Sequence, residues 1–104
     1  MMAAARNQSV IELHTRMSAC SDQVSCRVED ETVILSLRTG EYYGLNPVAA
    51  HIWDLLQQQE RSVAEVRDAL LAIYDVDEAT CTDQVITVLQ EMQSMELLDI
   101  VQSV

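Results

Sequence analysis

Three cysteines, two histidines and a small acidic group are the residues of this chain that could do chemistry. A nucleophile needs a base within reach, and a metal needs several donors at a recognised spacing. Cys20, Cys26 and Cys81 form no CxxC pair, and their odd count and irregular spacing fit neither a disulfide framework nor a zinc site. Cys26 and Cys81 sit in apolar patterns and read as inert core fillers. His14 and His51 have no cysteine, serine or acid partner at a recognisable spacing, so His51 reads as a surface or boundary residue. Asp75, Asp77 and Glu78 resemble a fragment of a calcium loop, but the glycine and terminal glutamate of such a loop are missing. A helix cap is the expected role of Asp77. Gly40 and Gly44 are spaced unlike a phosphate cradle. No catalytic residue, metal or cofactor is expected.

Recognition is left as the task. Leu35 to Leu56, LSLRTGEYYGLNPVAAHIWDLL, reads as a strand, a tight turn, a tyrosine-rich strand and a sharply started helix. The second of these strands, Glu41 to Leu45, carries no proline or lysine, the residues that commonly guard an open sheet edge. An unguarded edge can accept a partner strand, with main-chain groups giving affinity and alternate side chains giving choice. Tyr42 and Gly44 then share one face, and Tyr43 and Leu45 the other. A proline at Tyr43 is expected to weaken such binding, because it deletes an amide.

The totals narrow the partner. Seventeen acids against six bases give a formal charge of −11 in 104 residues. That balance argues against nucleic acid, whose phosphates need neutralising, and against an anionic membrane surface. A basic or neutral partner fits better. No apolar run reaches membrane-spanning length, the start is a poor signal peptide, and reduced thiols suit the cytoplasm.

The flanking pattern must position the edge. Residues 1–22 read as an extension outside the domain, flexible or a short helix through Val10, Leu13 and Met17. The domain is expected over residues 23–104. Gln23 to Val28 and Thr32 to Arg38 read as two further strands. Short links make a three-stranded antiparallel meander the simplest topology, with Glu41 to Leu45 at its edge. Val33, Leu35 and Leu37 give the second strand one more apolar face. Asn46-Pro47 caps and starts a helix that buries Val48, Ile52, Leu55 and Leu56, with Trp53 at the border. Ser62 to Glu65 is a capping box opening a second helix to about Tyr74 that buries Val66, Leu70 and Ile73. Asp77 caps a third, whose stripe is Cys81, Val85, Val88, Leu89 and Met92. Met95 to Val101 is apolar enough to pack back. The expected class is α+β, a three-stranded antiparallel sheet followed by three helices.

The segment LRTGEYYGLNPVAAHIWDLL, the capped RSVAEVRDALLAIYDVD and a long helix ending in MELL resemble the PqqD-like leader-peptide recognition domains of ribosomally made, modified peptides. The resemblance covers roughly residues 23–101, and Tyr43-Gly44-Leu45-Asn46 leading to Trp53 is its most specific part. It implies a winged helix-turn-helix-like fold without enzyme activity. It also implies that a precursor leader adds as an antiparallel strand beside Glu41, Tyr42, Tyr43, Gly44 and Leu45, with its apolar side chains in a groove against the third helix. Flanking the core stripe of that helix, Asp83, Ile86, Thr87, Gln90 and Glu91 are the expected facing wall. The implied pathway is that of lasso peptides, with a cysteine-protease-like leader peptidase or another modifying enzyme as further partner. The extension and the strong negative charge depart from the family pattern. Three other readings are a winged-helix DNA-binding regulator, which lacks any arginine or lysine between Asp77 and Val104, an enzyme subunit redox-linked through Cys26 or Cys81, and a homodimer formed through the same edge.

Overall fold

The computed structural model describes residues 11–101. Its elements run β1 (Arg16–Ala19), β2 (Gln23–Val28), β3 (Glu31–Ser36), β4 (Tyr42–Leu45), α1 (Pro47–Gln58), β5 (Arg61–Ser62), α2 (Val63–Leu71), α3 (Glu78–Ser94) and β6 (Leu98–Val101). The fold is α+β, as expected. The meander β2-β3-β4 is present, with β4 at its edge. A second antiparallel sheet, in the order β5-β1-β6, is an addition to the sequence reading.

That second sheet moves the domain boundary. Residues 1–22 read as an extension, yet β1 pairs with β6 from Arg16↔Val101 to Ala19↔Leu98 and with β5 through Arg16↔Ser62. Ile11, Met17 and Cys20 are buried, Met17 completely. The helical spacing that included Leu13 and Met17 gives way to a strand, because Met17 gains a core site and its backbone gains two partner strands. A lone short helix would offer neither. Arg16 reinforces the arrangement, its Nε donating to Glu60 Oε2 at 2.7 Å. What was expected of residues 1–10 and 102–104 lies outside the described residues.

Local signals set the helix starts. Asn46 caps α1, its Oδ1 accepting the Ala49 amide at 2.8 Å, with Pro47 in the first turn. The Ser62–Glu65 capping box is complete in both directions. Asp77 caps α3 by accepting the Thr80 amide, and those hydrogen bonds hold its carboxyl below the usual range. Gly40, at φ +75°, sits in the turn between β3 and β4, in a region that favours glycine.

The core joins α1, α2 and α3 to Met17, Ile34 and Leu97. Trp53 is fully buried and not at a border, and its size makes it a centrepiece of the packing. Helix α2 ends at Leu71, so Ile73 lies beyond it and is exposed. Cys81 is buried, and desolvation raises its thiol pKa. Cys26 is exposed instead of filling the core. His51 is half-buried, with its ring edge-on to Tyr74 at 6.2 Å.

Candidate functional site

An antiparallel ladder alternates between residues that bond across it and residues whose N–H and C=O point away. The β3–β4 register is Leu35↔Tyr42, Ile34↔Tyr43, Val33↔Gly44 and Thr32↔Leu45. One residue further out, the Ser36 amide donates to the Glu41 carbonyl at 2.9 Å. This fixes the phase. Tyr43 and Leu45 spend their main-chain groups on β3. Glu41 spends its carbonyl there, while its amide donates to Thr39 Oγ1. Tyr42 and Gly44 turn their main-chain groups to the free edge. Tyr43 therefore points its amide inward, and a proline there would damage the sheet and not test the edge.

Side chains follow the same alternation. Leu45 is buried and Tyr43 half-buried on the helix-facing side. The Tyr43 hydroxyl lies 3.2 Å from Thr39 Oγ1 and donates to Glu41 Oε1 at 3.1 Å. Tyr42 stands on the outer face with 72% of its surface exposed. Gly44 meets nothing within 4 Å of where a Cβ would lie, so neither space nor a positive φ requires glycine there in the free protein.

Two connected hollows lie beside this edge. One, of about 90 Å³, is lined by residues including Gly44, Leu45, Ala49, Glu91 and Met95. The other, of about 360 Å³, is lined by Val48, Asp83, Gln84 and Thr87 among others. Asn46 and Val88 line both, so the hollows form one groove between the β4–α1 junction and α3.

The expected residues divide accordingly. Gly44, Leu45, Asp83, Thr87 and Glu91 line the groove. Glu41 and Tyr43 do not line these hollows, and Tyr42 reaches the edge through its backbone. Ile86 lies on the other flank of α3, packed against the core, and Gln90 is on its exposed outer face. At about 100° per residue, Gln84, Val88, Glu91 and Met95 share one side of the helix, whereas Ile86 falls on the opposite one. The residues missed are Asn46, Val48, Ala49, Gln84, Val88, Met92 and Met95. The i, i+4, i+7, i+11 spacing from Gln84 to Met95 was the available signal.

Residues 31–98 match the family model for coenzyme PQQ synthesis protein D (PqqD). The chain belongs to the PqqD family. No curated protein matches it. Two solved structures resemble this PqqD-family chain. One, TbiB1 in complex with the TbiA(beta) leader peptide, is 35% identical with a TM-score of 0.74, and the match covers 83% of this chain and 99% of that one. The other is a lasso peptide synthetase B1 complexed with the leader peptide, with 22% identity and a TM-score of 0.70 over 80% of this chain and 96% of that one. The second likeness concerns the fold alone.

Proposed function

We propose that this PqqD-family chain is a non-catalytic clamp for the leader of a ribosomally made precursor in a lasso-type pathway. The leader adds as an antiparallel strand to β4. It is thereby held near a leader peptidase or another modifying enzyme, which raises the local concentration of substrate. The reading places the chain in the cytoplasm, and no helix among the described residues is long and apolar enough to cross a membrane.

The observation that carries this reading is the β4 edge, unpaired among the described residues, beside a groove lined by Val48, Val88 and Met95. The likeness to a protein solved with a leader peptide at 35% identity adds support. Tyr42 and Gly44 together present four outward main-chain groups. Each such bond contributes about 0.5–1.5 kcal/mol net. Micromolar binding needs about 8 kcal/mol, after the cost of association has been met. Main-chain pairing therefore falls short alone, and apolar leader side chains in the groove must supply the remainder. Antiparallel addition sets the polarity: the leader's N-terminal part lies towards Leu45 and Asn46, and its C-terminal part leaves past Tyr42.

Fluorescence anisotropy with a labelled leader tests the reading. Wild-type protein should bind it, and Val88→Asp should weaken binding about tenfold or more, since Val88 lines both hollows. Equal affinity of the two proteins would remove the groove from the account.

A further inference from the structure

Nothing among the described residues calls for glycine at position 44. A Cβ there would meet no atom within 4 Å, and the positive φ belongs to Gly40 and not to Gly44. Glycine inside a strand costs stability, because it orders a freer backbone and packs no side chain. Close approach of a second chain is a setting that offsets this cost.

Access to the main chain is not the reason. Side chains stand perpendicular to a sheet, so a Cβ at position 44 would leave the outward amide and carbonyl free. The effect of glycine falls on the outer face, which Gly44 shares with Tyr42. Val33 lies beside Gly44 on β3, and Leu35 beside Tyr42. Both β3 residues are half-buried on that face, with Ile34 turned to the core. Gly44 therefore leaves a notch at the sheet edge, with Val33 on its inner side and Tyr42 next along the strand. Its surroundings are apolar: the two cross-strand rows are Cys26–Val33–Gly44 and Val24–Leu35–Tyr42.

We propose, resting on the reading of β4 as the leader edge, that this notch selects the leader by one aromatic side chain. Strand addition places a leader residue directly across from Gly44, with Cα atoms about 5.5 Å apart and its side chain on the outer face. Val33 is two strand spacings from that residue, about 9–10 Å. Alanine or serine is too short to span the gap. An aromatic ring laid over the bare Gly44 backbone reaches Val33 and shields the main chain that glycine leaves wet, as aromatic residues do for glycines on neighbouring strands. The flanking leader residues point to the helix side and into the groove. The notch thus reads the same strand from its other face. Antiparallel polarity fixes the position: the ring comes two residues before the leader residue that pairs with Tyr42.

A double-mutant cycle tests this. The probes are the labelled leader of the precursor encoded beside this gene and its single alanine variants, followed by fluorescence anisotropy. Gly44→Gln places its side chain in open space, so its thermal transition should stay unchanged or rise. Its affinity for the unsubstituted leader should fall about fivefold or more. At one aromatic leader position, alanine should cost about fivefold or more on wild-type protein and little on Gly44→Gln. Gly44→Ala should show the same coupling at reduced size. Tyr42→Ala should couple instead to the leader position two residues later. Equal alanine losses on wild-type and Gly44→Gln proteins would overturn the notch and leave strand addition standing, as would coupling to a non-aromatic position. A wild-type protein that does not bind the leader would overturn both.

Discussion

Tyr43 lies directly across from Ile34 in the β3–β4 ladder, with its main-chain groups directed into the sheet. Its neighbours Tyr42 and Gly44 are therefore the residues that can bond an incoming strand. The two tyrosines, adjacent in sequence, have opposite jobs: Tyr43 closes the sheet and Tyr42 opens it. Proline substitution separates them. Tyr42→Pro should leave the thermal transition nearly unchanged and weaken leader binding about tenfold or more, because it deletes one bond and strands a leader carbonyl. Tyr43→Pro should instead destabilise the fold by about 1–3 kcal/mol, measured by urea unfolding. Equal effects of the two on stability would contradict the assigned phase.

The groove's polar residues are acidic. Asp83 lines the larger hollow and Glu91 the smaller. A leader with basic residues near them would gain on-rate and affinity that salt screens. Asp83→Asn combined with Glu91→Gln should weaken leader binding at low salt and flatten its dependence on sodium chloride. A wild-type affinity that stays constant as salt rises would remove the electrostatic contribution.

The first strand is part of the domain. Met17 is fully buried between the second sheet and the helical core. Met17→Ala should cost about 2–5 kcal/mol in denaturant unfolding, the range for emptying such a site. A change near zero would mean that residues before Gln23 are dispensable after all.

Acid should loosen the start of α3. The Asp77 carboxyl is held below its ordinary value by hydrogen bonds from Thr80. A depressed folded-state pKa gives stability that is present above the unfolded value and lost as pH falls through the folded one. Between neutral pH and the ordinary carboxylate range, this contribution is constant. Below that range it declines, and Asp77→Asn should reduce that part of the acid sensitivity. Parallel stability–pH curves for the two proteins would oppose this role.

Much of the architecture was legible because short signals decided it. Asn46-Pro47, Ser62 with Glu65, Asp77 and Gly40 each fix a helix start or turn by local hydrogen bonding or φ. The class and the edge position of β4 followed. Long-range pairing was harder to see. The β1–β6 register joins residues more than eighty positions apart at its outer end, and no local pattern in Arg16–Ala19 announces a partner. The face of β3 with more apolar residues is not the one the helices cover, since Ile34 is buried while Val33 and Leu35 are half-buried on the other side, and Cys26 on β2, read as a core filler, is exposed. On α3 the wall residues were assigned to both flanks of the core stripe, and only the flank carrying Gln84, Val88, Glu91 and Met95 faces the β4–α1 junction.

Amide hydrogen exchange, resolved by residue with and without a synthetic leader, reads strand addition most directly. Pairing should slow the Tyr42 and Gly44 amides about tenfold or more while Tyr43 and Leu45, already bonded to β3, change little. A leader that binds yet leaves Tyr42 and Gly44 exchanging at their free rates would contradict the account.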